Sequence, residues 1–317
     1  MKKTTKIIII LIVIIGIFLG IILGVNKAKE SNEKLSIITT NFPAYDFARA
    51  VAGDKANIKM LVKPGAETHD FEPTPQDIID IKNSALFVYT GGESDEWIED
   101  ILEDIDINKT KLIKMMDAVE VVEEETVEGM EHENHHEHEE EAEYDEHVWT
   151  SPKNAIKIVG AIKDELSKIS PKNETLFANN SKAYIDKLSE LDQKFQNIIK
   201  AGNRKTVVFG DRFPLRYFVD EYNLNYYAAF PGCSDQTEAS SKTVAFLVDK
   251  IKNERIPVVF KIEMSSGKLA ETISNETGAK VLEFQSAHNI SSDKFNAGVT
   301  YIDLMERNLS ALKEALD

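Results

Sequence analysis

The seven histidines are the residues whose type and spacing could do chemistry in this chain. Four lie together in an acidic segment, whereas His69, His147 and His288 lie far apart in the sequence. Each of these three falls just past a predicted strand or just before a predicted helix, where loops carry functional side chains. A neutral imidazole held in such a loop is a good Zn(II) ligand. The three therefore predict a metal site, although each alone is also consistent with a surface-loop histidine or, for His147, a helix cap.

The other four histidines lie in the most acidic stretch of the chain. Residues 120–146 contain 14 acidic residues and no Lys or Arg, and removing those charges changes the net charge from -17 to about -3. Such a stretch cannot bury a core, so residues 119–146 are expected to be mobile. Four histidines within seven residues favour weak auxiliary zinc capture over a merely solvated acidic loop. The candidate auxiliary ligands are His132, His135, His136 and His138.

Composition excludes several classes of protein. Without the acidic segment the chain is nearly neutral and leaves no basic face for nucleic acid. Cys233 is the only cysteine, so no intrachain disulfide forms, and we expect a structural thiol outside the metal site. The sequence shows no obvious nucleophile–base pair. We therefore predict a binding protein and not an enzyme, with a zinc hydrolase that keeps an open, water-filled position as the alternative.

The N-terminus has the pattern of an export segment. Lys2, Lys3 and Lys6 precede an apolar run over residues 7–25, interrupted only by glycines. A positive flank before such a run places the following body outside the cell. The run is long enough to span a membrane, and no cysteine or clear small-x-small cleavage site follows it. An uncleaved anchor that tethers the protein at the cell surface is favoured over a removed signal, which would leave it secreted.

Strands and helices alternate after the N-terminal segment. The predicted strands cover residues 35–40, 58–62, 85–89, 111–115, 206–209, 225–229, 257–261 and 279–283. The predicted helices cover residues 44–51, 75–81, 95–102, 152–169, 171–200, 214–222, 242–253, 268–276 and 292–316. This repeat predicts an α/β fold with mostly parallel sheets.

The same pattern divides the chain into four parts. We predict an N-terminal anchor or signal with its spacer at 1–32, a first lobe at 33–151, a helical linker at 152–202 and a second lobe at 203–317. The second linker helix has roughly 30 residues and a length of about 45 Å, enough to brace both lobes. Since open α/β sheets bind ligands beyond the carboxyl ends of their strands, we expect the site in the cleft between the lobes.

Two strings carry a resemblance to a known family. Residues 63–75 read KPGAETHDFEPTP, and residues 147–152 read HVWTSP. They resemble the two signature segments of the zinc/manganese ABC-transporter solute-binding proteins, the zinc-uptake complex component A family, and the resemblance spans about residues 33–316. It implies an extracytoplasmic, monomeric receptor that holds a divalent metal ion between two lobes and delivers it to an ABC permease and its ATPase.

The resemblance also implies a ligand set, from which this chain departs at one position. His69 and His147 carry over directly from the two signature segments. The family then expects a His or Glu near residues 209–218, where this chain has neither. Asp211 is the nearest residue able to bind a metal, and a cap for the following helix is an equal interpretation of it.

Two further candidates follow strands of the second lobe. His288 stands where the family often has an acid, and Glu263 follows another strand that faces the same cleft. Three imidazoles and one carboxylate would make a closed tetrahedral site suited to Zn(II). A set richer in oxygen would favour Mn(II), so a manganese receptor is the alternative within the family, and a surface adhesin is a further one.

Overall fold

The computed structural model describes residues 34–66, 71–130, 143–232 and 239–317. Two compact units divide the chain, Met1–Leu35 and Ser36–Asp317. The predicted anchor at 7–25 lies outside the described residues. Among the helices that are described, none combines the length and the apolar character needed to cross a membrane.

Eight strands form two four-stranded sheets, one in each lobe. The strands are β1 (Leu35–Thr39), β2 (Ala56–Met60), β3 (Leu86–Tyr89), β4 (Lys111–Lys114), β5 (Thr206–Arg212), β6 (Asn225–Phe230), β7 (Val258–Ile262) and β8 (Lys280–Phe284). Their order is β2-β1-β3-β4 in the first lobe and β6-β5-β7-β8 in the second. β3 runs parallel to β1 and β4, β5 runs parallel to β6 and β7, and β7 runs parallel to β8. The predicted two-lobed α/β fold is confirmed.

Ten helices are described around these sheets. They are α1 (Phe42–Ala52), α2 (Pro75–Asn83), α3 (Glu99–Leu102), α4 (Pro152–Ile169), α5 (Glu174–Ala201), α6 (Arg216–Tyr222), α7 (Ser241–Glu254), α8 (Lys268–Thr277), α9 (Ser292–Asn296) and α10 (Tyr301–Leu316). Side-chain caps fix the starts of six of them, α1, α2, α4, α7, α9 and α10. Thr74 and Asp77 form a reciprocal capping box before α2, with Pro75 at its first position.

Each lobe has its own apolar core between its sheet and its helices. Ile38, Phe87 and Ile81 are buried in the first lobe. Val208 and Val259 are buried in the second, packed against helices α7 and α8. These cores hold the strands in register, so the loops at the strand ends are presented from two firm bodies.

Helix α5 has 28 residues and is therefore about 42 Å long. The Tyr184 hydroxyl donates to Asp46 of the first lobe at 2.7 Å, and Asp192 accepts from the Tyr222 hydroxyl of the second lobe at 2.9 Å. Asp46 is buried and also accepts from the backbone N–H of Tyr301 at 2.8 Å. The helix is thus bonded to both lobes, which agrees with the predicted brace.

Several details differ from the sequence prediction, among them the helix expected over 95–102, which is a 3-10 helix over Glu93–Ile98 followed by α3. The single helix expected over 292–316 is two helices, because Gly298 has a φ of +75° and Thr300 starts α10 with its own capping box. The acidic segment is not mobile throughout as expected, because residues 122–130 and 143–146 make backbone hydrogen bonds and Met130 is buried. Local composition could not indicate the distant partners that hold them.

Candidate metal centre

Glu146, His147 and His288 converge between the two lobes. Each offers a donor atom, and these atoms lie within 4.8 Å of one another. The two imidazole centroids are 4.9 Å apart, with their planes at 89°. Donors that share a tetrahedral Zn(II) lie about 3.3 Å apart, since each bond is about 2.0–2.1 Å long. A contraction of at most about 1.5 Å would therefore bring this group around a single cation.

His147 is fully buried and held by its neighbours. Asp145 Oδ1 accepts from the backbone N–H of His147 at 2.8 Å and lies 3.1 Å from its ring Nδ1. A proton on Nδ1 satisfies this contact and makes Nε2 the nitrogen suited to bind a metal. Helix α4 is capped by Ser151, whose hydroxyl accepts from the Asn154 N–H at 3.3 Å. The capping alternative for His147 is therefore wrong.

His288 lies in a loop wrapped around the carboxylate of Glu263. That carboxylate accepts from the Ser286 N–H at 2.6 Å, the Ser286 hydroxyl at 2.7 Å and the His288 N–H at 3.1 Å. Ala287, between them, has a φ of +58°, which is uncommon for a residue with a side chain. Glu263 is buried and lies outside the converging group, and its hydrogen bonds hold the loop that carries the His288 imidazole.

Replacing Glu263 with alanine is expected to weaken zinc binding by about 10–100-fold, the usual cost of removing a partner that orients a metal ligand. Glu263→Gln keeps one carbonyl acceptor and should lose less. Zinc affinity by chelator competition measures both, with Glu276→Ala on the exposed face of α8 as the control. Unchanged affinity in a folded Glu263→Ala protein would contradict an orienting role.

Trp149 joins the two histidine loops. Its ring centroid lies 5.5 Å from that of His147 and 5.2 Å from that of His288. The indole N–H donates to the carbonyl oxygen of Ser286 at 2.9 Å, and the Trp149 carbonyl accepts from the Tyr301 hydroxyl at 2.6 Å. Trp149 is buried, so this bridge fixes the separation of the two imidazoles.

Glu146 is the residue that sequence reasoning missed. It belongs to the acidic run, yet only 1% of it is exposed. Its Oε2 accepts from the Ser94 N–H at 2.9 Å, and its Oε1 accepts from the Ser94 hydroxyl. A Cβ on Gly92 would lie 2.7 Å from the Glu146 Cβ, so the glycine makes room for this side chain. The signal in the sequence is its place directly before the inward-turning segment from His147.

Buried carboxylates set the charge of the site. Burial raises the pKa of Glu146, and burial together with the Glu146 charge raises the pKa of Asp95 to about 7. Burial is the largest single influence on the pKa of His147 and lowers it. The carboxylates of Asp145, Glu146 and Glu124 together outweigh burial, so the pKa of His147 is raised. Such a site favours a positive charge, which a metal cation can supply.

Asp211 does not join this group. It lies in β5, where its Oδ1 accepts from the Arg212 N–H at 2.9 Å and its Oδ2 accepts from the Ile262 N–H at 3.3 Å. It therefore links β5 to β7. It does not cap α6 either, because that helix begins after Leu215.

A cavity of about 260 Å³ lies between the lobes beside His288. Gly65 and Ala66 line it from the first lobe, and Arg212 and Met264 are among the residues that line it from the second. Across this boundary Asn289 accepts from the Gly65 N–H at 3.4 Å and donates to the Ala66 carbonyl. The loop that leads to His69 is thus bonded to the neighbour of His288.

The remaining predicted ligands fall outside the described residues. They are His69, His132, His135, His136 and His138. Cys233 also lies outside the described residues.

Comparison with known proteins shows the family of this chain. The family model described as zinc-uptake complex component A, periplasmic, matches residues 37–315. The chain belongs to this family. Among the relatives of this chain, the zinc-binding lipoprotein AdcA of Streptococcus pneumoniae is 33% identical over 315 residues, covering 98% of this chain and 61% of AdcA. The chain thus spans about three fifths of that relative.

Another relative in the family matches along nearly all of its length. The high-affinity zinc uptake system protein ZnuA of Bacillus subtilis is 32% identical, over 92% of this chain and 90% of ZnuA. Among solved structures, the Zn(II)-bound ZnuA-like domain of the pneumococcal AdcA is 32% identical with a TM-score of 0.75, covering 90% of this chain and 99% of that domain. The metal-dependent lipoprotein YcdH of Bacillus subtilis is 30% identical with a TM-score of 0.76, covering 89% of this chain and 99% of YcdH. The chain therefore shares its two-lobed fold with a Zn(II)-bound domain and with a metal-dependent lipoprotein.

Proposed function

We propose that this chain is an extracytoplasmic receptor that binds Zn(II) between its lobes and delivers it to an ABC permease. The observation that carries the proposal is the convergence of Glu146, His147 and His288, with donor atoms within 4.8 Å. The names of the pneumococcal and Bacillus subtilis relatives, which describe zinc binding and zinc uptake, support the same cargo.

His69 is the proposed fourth ligand. Ala66 precedes it by three residues, a chain length of at most about 11 Å. Ala66 lines the cavity beside His288 and is bonded to Asn289. His69 is therefore within reach of the group, and with it the site has three imidazoles and one carboxylate. Asp211 and Glu263 are not proposed as ligands, because neither carboxylate belongs to the converging group of donors.

This donor set favours Zn(II) over Mn(II). Imidazole nitrogens suit zinc, whereas carboxylates, carbonyls and water suit manganese. A receptor for manganese would be expected to hold more oxygen donors than the single carboxylate of Glu146. The manganese alternative therefore has less support from the described residues.

The wider assignments follow from the family. We infer that the receptor works with an ABC permease and its ATPase, acts as a monomer and catalyses no reaction. We also propose the division into residues 1–32, 33–151, 152–202 and 203–317, with the N-terminal segment as the membrane tether. Detergent partitioning of the full chain against residues 33–317 tests the tether.

Elemental analysis of the purified protein tests the proposed cargo. We expect one tightly bound zinc for each chain, and competition titrations should show Zn(II) displacing Mn(II). Retention of manganese in the presence of equimolar zinc would favour the manganese receptor. Absence of any tight divalent-metal binding would refute the receptor itself.

Zinc affinity is expected to fall as the pH falls. The raised pKa of His147 means that protons compete for its imidazole from above pH 6.5 downwards. Each competing proton costs about tenfold in affinity for each pH unit below that pKa. Chelator competition between pH 8 and 5.5 measures this loss, and a flat profile would contradict ligation by His147.

The stability of the zinc-free protein is expected to change with pH in the opposite direction and to rise as the pH falls. Protonated His147 is favoured by folding, so its contribution is fully present below pH 6.5 and is lost as the pH rises through the folded pKa. Burial raises the pKa of Glu146, which likewise makes the zinc-free fold more stable at lower pH. The rise in Tm on adding zinc should therefore be larger at pH 8 than at pH 6.

Deleting residues 131–141 tests the auxiliary role of His132, His135, His136 and His138. We expect zinc association to slow by a few-fold at low zinc concentration, because the deletion removes weak sites that raise the local metal concentration. The equilibrium dissociation constant should stay unchanged. Stopped-flow association and calorimetry measure the two quantities, and an unchanged association rate would leave these residues as a solvated acidic loop.

A further inference from the structure

The two ends of the acidic segment pair with each other. Glu123 and Tyr144 form an antiparallel β-bridge. The Glu124 N–H donates to the Glu143 carbonyl at 2.8 Å, and the Asp145 N–H donates to the Val122 carbonyl at 3.0 Å. We call residues 122–130 and 143–145 the strap. The strap leaves the first lobe after β4 and returns directly into His147.

The second lobe holds the strap through two tyrosine hydroxyls. Tyr217 of α6 accepts from the Val122 N–H at 3.3 Å and donates to the Asp145 carbonyl at 2.6 Å, so one hydroxyl joins both halves of the strap. Tyr226 of β6 donates to the Glu125 carbonyl at 3.3 Å. The strap therefore belongs to the first lobe in sequence, and it is bonded to the second lobe.

The far end of the first half is packed as well. Met130 is buried, and Gly129 has a φ of +89°. A Cβ on Gly129 would lie 2.0 Å from the ring of Phe246 in α7, so a side chain there would clash. These contacts fix the strap at a second place on the second lobe.

Glu124 connects the strap to the metal centre. Its Oε1 accepts from the Gly232 N–H at 2.9 Å. A Cβ on Gly232 would lie 3.2 Å from Cε1 and 3.3 Å from Nδ1 of His147, so the bare α-carbon of this glycine packs on the imidazole. Glu124 thus holds the backbone that bounds one side of the His147 ring.

We propose that the strap is a latch between the lobes and that Glu124, through its bond to Gly232, is a positioning residue that slows release of the bound cation. This inference rests on the proposed function. Glu124 comes from the first-lobe segment and Gly232 from the second lobe, so parting of the lobes at this place must break their hydrogen bond. Breaking it also frees the backbone beside His147.

The test compares Glu124→Ala with Glu124→Gln in the full chain. Zinc release into excess chelator is followed by stopped flow, and association is measured separately. Glu124→Ala should release zinc about tenfold faster, the effect of losing a hydrogen bond to a charged acceptor. Glu124→Gln keeps an amide oxygen for the Gly232 N–H and should release zinc clearly more slowly than Glu124→Ala. Glu120→Ala, an exposed position just before the strap, is the matched control.

The outcomes separate the latch from other roles. If Glu124→Gln releases zinc as fast as Glu124→Ala, charge and not the hydrogen bond matters, and the latch is overturned. Release of Glu124→Ala at the unmodified rate overturns it too. Tyr217→Phe removes the hydroxyl that joins the two halves of the strap, so it should also speed zinc release. This variant tests the latch if Glu124→Ala does not fold. Failure of the unmodified chain to retain zinc would instead count against the proposed function.

Discussion

Replacing His147 with alanine should weaken zinc binding by roughly 100–1,000-fold. Structural zinc sites with four ligands supply about 10–16 kcal/mol, or about 3 kcal/mol for each ligand. His147 is fully buried and directed by Asp145, so its loss removes a donor that the surrounding structure holds in place. Competition with a chelator of known affinity measures the loss.

A matched histidine serves as the control for that experiment. His136→Ala changes the same side chain in the acidic segment and should leave the dissociation constant unchanged. Because removal of His147 leaves the carboxylate of Asp145 buried, the thermal stability of the zinc-free variant must be checked. His147→Gln keeps a polar neighbour for Asp145 and repeats the test if the alanine variant does not fold. Tight binding by either folded variant would exclude His147 as a ligand.

Replacing His69 with alanine should cost about as much, roughly 100–1,000-fold in zinc affinity. The expectation rests on the attachment of Ala66 to Asn289, next to His288, and on the short stretch of chain from Ala66 to His69. Calorimetric titration measures the change. Weaker binding of zinc to the folded protein also means less stabilisation by zinc, so the rise in Tm that zinc produces should be smaller in the His69→Ala variant.

An unchanged dissociation constant for His69→Ala would have a definite structural meaning. The cation would then be held by Glu146, His147 and His288, with a fourth position left to another donor. Glu72→Ala, which changes an acidic residue of the same signature segment, controls for general effects on this loop.

The fold was predictable because its signals are local. The capping box of Thr74 and Asp77 with Pro75 marks the start of α2, and runs of β-branched residues mark strands such as β1 and β7. The break between α9 and α10 was missed because Gly298 was read as part of a periodic helix. Its positive φ, with the cap at Thr300, ends the helical hydrogen bonding there.

The site was predictable only in part, because ligation depends on partners distant in sequence. His147 could be named from its residue type and its place just before a helix, and His288 from its residue type and its place after a strand. Glu263 also follows a strand, yet it lies outside the converging group, and its carboxylate accepts from the backbone N–H groups of Ser286 and His288. Glu146 was overlooked because its neighbours are acidic, and only the tertiary contact with Ser94 shows that it points inward.

The position of Trp149 gives the molecule an optical reporter of its own. The chain has two tryptophans, and the other, Trp97, packs against Phe71 and Phe87 in the first lobe. Trp149 lies within 5.5 Å of both imidazole centroids, and a protonated imidazole at such a distance quenches indole emission. Loading of the cleft can therefore be followed by intrinsic fluorescence without a label, and Trp97→Phe would isolate the signal of the indole between the two histidines.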